Sequence, residues 1–180
     1  MVNNRTTRLL IVLFVGLLAV AYLVNLAQQN NAAYVPYPTA LPEVFPGIDA
    51  RQITHIELEN PGWKRKIVLD KVPGDWVATD GDGKPIQVDL GQVTRMIQIL
   101  PTLRYNRVLE STDLKAFGLA DGGLFVLRFS VGKVSYTLRV GDPNSAQTYS
   151  YIQRGDGGPV LQADMQQVAQ LVRLAANPNP

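Results

Sequence analysis

The chain has 180 residues, 46% hydrophobic and 18% charged, a balance that excludes a disordered polypeptide and suits a folded domain with an appendage. It carries no Cys and one His, which excludes a disulfide framework, an iron–sulfur site, a covalently attached c-type haem, a thiol nucleophile, a lipidated-cysteine anchor and a His-rich metal site. The formal net charge of +2 sits at the N-terminus, where Arg5 and Arg8 precede every acidic residue; the rest of the chain is neutral. No clustered basic surface for nucleic acid is therefore expected.

Residues 9–27 form an apolar run broken by nothing more polar than Tyr22 and Asn25. A helix of that length spans roughly 28 Å, close to the bilayer hydrocarbon thickness of about 30 Å. The expectation is a transmembrane helix at 9–27, with residues 1–8 cytoplasmic because Arg5 and Arg8 flank its N-terminal side. Ala19-Val20-Ala21 has the small-x-small form of a signal-peptidase site, but the apolar run continues through Tyr22, Leu23 and Val24. An uncleaved anchor is expected rather than a removed leader. Residues 28–50 then change character. Gln28-Gln29-Asn30-Asn31 is polar, and Pro36, Pro38, Pro42 and Pro46 favour extended chain, so a Pro-rich linker is expected there.

From Arg51 the pattern is strands and turns. Ile56 and Leu58 alternate with Glu57 and Glu59, Pro61-Gly62 marks a turn, and Ile67 with Leu69 marks a second strand. Pro73-Gly74 precedes a strand at Trp76–Thr79, Asp80-Gly81-Asp82-Gly83 is a hairpin tip, and Ile86-Gln87-Val88 is expected to return from it as a strand. Asp89 is placed to cap a helix whose apolar positions are Leu90, Val93, Ile97 and Leu100. A strand is expected over 105–110, then a short helical turn from Thr112 or Asp113 to Gly118. Phe125 to Val131, Tyr136 to Val140 and Tyr149 to Tyr151 read as strands. Gly155-Asp156-Gly157-Gly158 reads as a tip and Val160-Leu161-Gln162 as its return. Asp164 caps a final helix with Met165, Val168, Leu171, Val172 and Ala175.

The two halves align: Gly81, Asp82, Gly83 and Pro85 with Gly155, Asp156, Gly157 and Pro159, then Asp89, Gln92 and Val93 with Asp164, Gln167 and Val168. This predicts an α+β fold: an N-terminal transmembrane helix, a Pro-rich stalk, and two duplicated antiparallel β-meander-plus-helix units. The extracytoplasmic domain is expected over 51–176, with repeat units at about 51–103 and 122–176.

Ile53-Thr54-His55-Ile56, Trp76 after a turn, the Asp-capped helix, Arg107-Val108-Leu109, Phe117-Gly118-Leu119, Leu138-Arg139-Val140-Gly141-Asp142 and the Tyr-rich strand form a connected pattern. It resembles a bacterial domain-of-unknown-function family of single-span envelope proteins, often found beside gliding-motility-type ABC transporter components. The resemblance covers roughly 45–174, implies no catalytic residues, and implies several such units in many members against one pair here.

Candidate chemistry is sparse. His55 has no nucleophile or elbow motif beside it in the sequence, and Glu57 and Glu59 share a strand face without the marks of an acid/base dyad. Asp80-Gly81-Asp82-Gly83 lacks the later oxygen ligands of a calcium loop and reads as a polar tip. Arg154-Gly155-Asp156 spells an adhesion tripeptide that the hairpin tip already explains. Trp63-Lys64-Arg65-Lys66 is the one basic run, read as a solvated strand edge or a contact for anionic headgroups. Tyr149 and Tyr151 read as strand packing. No catalytic, cofactor-binding or metal residues are expected, and no cofactor. The expectation is a non-enzymatic, membrane-anchored accessory or assembly subunit of a larger membrane protein complex, either a transporter or a respiratory or photosynthetic electron-transfer complex. Its partners would be the lipid bilayer and integral membrane subunits. It would be a single-pass protein of the cytoplasmic (inner) membrane, its C-terminal domain on the periplasmic or extracellular side. The alternative is an extracytoplasmic domain that binds a small ligand, glycan or peptide between its two sheets.

Overall fold

Strict alternation in Ile56-Glu57-Leu58-Glu59 forces one face of its strand into a core and the other toward water, and every neighbouring strand repeats the device. The computed structural model describes residue 20, residues 40–110 and residues 113–176. Among them are eight strands: β1 (Ile53–Asn60), β2 (Arg65–Val72), β3 (Asp75–Asp80), β4 (Tyr105–Leu109), β5 (Phe125–Val131), β6 (Val134–Pro143), β7 (Tyr149–Arg154) and β8 (Val160–Asp164). Two α-helices accompany them, α1 (Leu90–Ile99) and α2 (Met165–Ala176).

All eight strands form one antiparallel sheet in the order β3-β2-β1-β5-β6-β7-β8-β4. Register lines the apolar positions into rows that cross it. Leu69, Ile56, Phe129 and Tyr136 form one row, and Ile67, Leu58, Leu127 and Leu138 the next. Val140, Ile152 and Leu161 continue the face toward β8. Both helices lie over this face and touch each other, placing Val93, Met96, Val168, Leu171 and Val172 in the same core as the strand residues. The opposite face carries His55, Glu57, Glu59, Lys66, Asp70, Arg128 and Arg139 by the same registers.

This corrects the expected architecture. The protein is predominantly a single eight-stranded sheet with few helices, rather than an α+β fold of two duplicated sheet-plus-helix units. The reason is the antiparallel pairing of β1 with β5, which joins the two meanders edge to edge through Ile56↔Phe129 and Leu58↔Leu127. The halves also differ internally. Residues 86–88 form no strand; one bridge, Thr79↔Pro85, and the Ile86 N–H donating to the Ala78 carbonyl are the return from the first tip. The equivalent stretch of the second half is the full strand β8, which pairs with β4 on its far side. With one sheet there is no cleft between two sheets.

No helix among the described residues is long and apolar enough to cross a membrane. The expected transmembrane helix at 9–27, residue 20 apart, and the cytoplasmic segment 1–8 lie outside the described residues. So does the linker up to residue 39. The compact unit itself begins at Leu41, ahead of the Arg51 boundary that proline content suggests. Val44 and Phe45 are buried, the Val44 N–H donates to the Leu103 carbonyl, and the Tyr105 N–H donates to the Pro42 carbonyl. Proline is tolerated at this edge because only its carbonyl is used.

Local capping follows the sequence. Asp89 accepts from the N–H groups of Gly91 and Gln92, and the Gln167 N–H donates to Asp164. Asp113 caps the 3-10 turn Leu114–Phe117, which ends at Gly118 with φ +64°, a left-handed position that suits glycine. On α1, however, Leu90 is exposed and Ile97 half-buried, while Met96 and Leu100 fill the core with Val93.

Candidate functional site

The helix-free face of the sheet gathers the charged residues of β1, β2 and β5 into one connected ladder. Glu57 occupies its centre, with Lys66 Nζ 3.0 Å from one carboxylate oxygen and Arg128 Nη1 3.7 Å from the same oxygen. Arg128 also donates to Glu59 at 2.9 Å. His55 bridges the other side, its Nδ1 2.6 Å from Asp70 Oδ1 and its Nε2 3.5 Å from Glu57 Oε1. These are cross-strand neighbours by register, His55 opposite Asp70, Glu59 opposite Lys66 and Glu57 opposite Arg128. Burial pushes the Glu57 carboxyl up, but the hydrogen bond and charge of Lys66, aided by His55, outweigh it and hold the group below the usual glutamate range.

His55 reaches this face because of a β-bulge. The register with β5 shifts between Ile53 and His55, so Ile53 turns into the core at 0% exposure rather than sharing the face of His55. That departs from the plain alternation expected for this strand. Glu57 and Glu59 do share a face, with Arg128 between them. Glu57 is thereby held as a charged carboxylate at the centre of the ladder.

The other sequence candidates are placed apart. Asp80 accepts from the N–H groups of Asp82 and Lys84 at 3.0 and 2.9 Å, which makes it the brace of a tight tip. Among the described residues no group of three or more His, Cys, Asp or Glu is placed to hold a metal ion. Arg154 donates to the Val44 carbonyl on the helix-covered face, while Asp156 accepts from Arg139 at 2.5 Å, so the tripeptide is engaged internally at both ends. Trp63 stands 62% exposed at the β1–β2 turn beside Lys64, whose φ is +51°, and Lys66 of the same run is drawn into the ladder. Tyr151 packs against Phe117 with ring centroids 4.7 Å apart.

That last contact marks where the open face ceases to be open. Residues 114–123 run across the ends of β6 and β7, and Leu119, Val126 and Val160 are buried there, apart from the main core. Gly141 permits the approach: a Cβ on it would strike the Phe117 carbonyl oxygen and the Leu119 side chain. Beside this cover lies an open cavity of about 480 Å³ between Leu109, Leu114, Pro159, the Gly157-Gly158 backbone, Glu110 and Gln153. Gln153 is 2% exposed. No sequence signal singled it out, because a polar residue in a strand ordinarily marks the solvent face.

Residues 76–177, more than half of the chain, match the family described as Domain of unknown function (DUF4340). The chain belongs to this family. No curated protein and no solved structure matches it. The DUF4340 match begins at Trp76 in β3, whereas the sheet of this protein is completed by β1 and β2 from outside the matched range. The acidic members of the ladder lie in that added part and Arg128 in the DUF4340 region, which also contains the whole cavity around Gln153.

Proposed function

We propose that this protein is a non-catalytic accessory or assembly subunit of a larger membrane protein complex, held at the cytoplasmic membrane by its apolar N-terminal segment. The finer reading places the domain on the periplasmic or extracellular side. The complex would be an envelope ABC transporter of the gliding-motility type or an electron-transfer complex. One observation carries the proposal: over β1, β2 and β5 the sheet leaves its second face uncovered and sets on it a ladder of charges already paired with one another. Isolated surface ion pairs contribute only about 0–1 kcal/mol to stability, so stability is a poor reason for five of them side by side. As a recognition surface the ladder is pre-ordered, and a partner meets it without immobilising new side chains. Arg5 and Arg8 ahead of the apolar run support the stated orientation.

The test is co-purification. The full chain isolated in mild detergent should bring down a defined set of integral membrane subunits, identified by mass spectrometry. Arg128→Glu, which inverts the one cation shared by Glu57 and Glu59, should reduce that recovery about tenfold, as expected for losing a close charge pair at an interface. Recovery of the chain alone, or a substrate turnover abolished by substituting His55 or Glu57, would sink the proposal.

A further inference from the structure

At the β2–β3 corner the helix-covered face of the sheet ends in a charge. Leu69 and Ala78 pair there and are buried, and the next pair on the same face is Lys71 opposite Trp76. Helix α1 passes beside this pair with Thr94, Ile97 and Gln98, whose spacing puts them on one side of the helix. Ala50 and Arg51 close the remaining side. The open cavity between these residues measures about 260 Å³. Drug-sized ligands occupy about 300–1,000 Å³, so the occupant of this one must be smaller.

Arg51 and Lys71 both line the cavity, but only one of them has its charge to spare. The Arg51 guanidinium is tied to Asp49 at 2.9 Å, and its hydrogen bonds hold the Asp49 carboxyl below the usual aspartate range. Lys71 Nζ donates to the Arg51 carbonyl at 2.9 Å and forms no ion pair among the described residues. That bond uses one of the three N–H donors of an ammonium group. No Asp or Glu lines the cavity among the described residues, and Ala50, Trp76 and Ile97 form its apolar wall.

We infer that this corner binds a small carboxylate with a flat apolar body, the carboxylate on the Lys71 ammonium and the body against Trp76 and Ile97. A phosphate dianion would need a second cation, and the charge of Arg51 is committed to Asp49. A sugar acid would set hydroxyls against Ala50 and Ile97, where they find no partner. The site lies on the opposite side of the sheet from the charge ladder. It therefore goes beyond the accessory-subunit reading without resting on it.

The chain has two tryptophans, so Trp63→Phe leaves Trp76 as the single fluorophore of its kind. The full chain with that change, in mild detergent, is titrated with phenylacetate, with 2-phenylethanol as its uncharged counterpart and with glucuronate as a sugar acid. The expected result is a saturable change in Trp76 emission with phenylacetate, and binding at least about tenfold weaker for the other two. Lys71→Met keeps a long straight side chain and removes the charge. It should weaken phenylacetate binding about tenfold, the loss expected for a hydrogen bond to a charged group, and leave 2-phenylethanol unchanged. Lys71→Arg should restore most of the affinity. If Lys71→Met fails to fold, the ratio of phenylacetate to 2-phenylethanol binding in the chain that keeps Lys71 decides alone. No saturable change with phenylacetate would overturn the inference. So would equal binding of 2-phenylethanol, tighter binding of glucuronate, or full phenylacetate affinity in Lys71→Met.

Discussion

Replacing Phe45 by Ala separates a stalk from a structural element. The ring is 1% exposed and meets Phe129 edge-on at 5.0 Å and Tyr136 at 5.7 Å. Truncating a fully buried Phe costs about 3–5 kcal/mol, and edge-to-face pairs add about 0.5–1.5 kcal/mol beyond burial. A loss of about 4 kcal/mol is expected, much of the 5–15 kcal/mol that holds a domain of this size. With a urea slope of about 2 kcal/mol/M, the unfolding midpoint should fall by about 2 M. Leu41→Ala is the control: at 53% exposure it should move the midpoint by less than about 0.3 M. Urea unfolding of the full chain followed by tryptophan fluorescence measures both. If the Phe45 variant shifts no more than the Leu41 variant, residues 41–50 are not part of the folded unit, and the rings of Phe129 and Tyr136 have lost their supposed third partner.

Two further outcomes follow from the core and the ladder. Met96→Ala, at a site of 0% exposure, should cost about 2–5 kcal/mol, whereas Leu90→Ala, at 44% exposure, should cost less than about 1 kcal/mol; the opposite order would mean that α1 is rotated about its axis. Glu57 titrates below the ordinary glutamate value, so its stabilising contribution is present above that value and disappears as pH falls through the lowered one. The urea midpoint of the native chain should therefore drop more steeply below about pH 4.3 than that of Glu57→Gln, and parallel curves would show that Lys66 and His55 do not hold the carboxylate.

What was legible in the sequence was local. Alternation of Ile56 and Leu58 with glutamates, the Asp caps at 89 and 164, and Gly118 as a stop each depend on residues within one turn or one strand, and each is found. The pairing of β1 with β5 has no such signal. It brings Arg128 to Glu59 across 69 positions of chain, and nothing in either strand names its neighbour. The repeated Gly-Asp-Gly-x-Pro tips and Asp-capped helices describe equal local units, yet Thr79 takes a single bridge to Pro85 while Gln153 begins a full ladder with Val160. The difference lies in β4, which gives β8 a partner on its second edge. Gln153 was illegible for a related reason: its face is covered by residues distant in sequence, so the polarity pattern of β7 assigns it to water.

A sheet covered by helices on one side must still make its other side compatible with water, and this protein does so with paired rather than excess charge. Lys66 and Arg128 stand against Glu57, Glu59 and Asp70, two cations against three carboxylates, so the ladder carries a net charge of only about −1. So small a net charge steers little over long distances, since steering requires a field that survives beyond a Debye length of about 8 Å. It can discriminate only at contact, where a mismatched pattern leaves charges desolvated and unpaired. Such a surface is poor at capturing a partner from solution and well suited to one already held nearby. The N-terminal charge excess and the apolar run behind it supply that proximity in the proposed arrangement, raising the effective concentration of the partner into the range of about millimolar. On that proposal, attachment and recognition would be divided between two parts of the chain, the first by hydrophobicity without specificity and the second by pattern without reach.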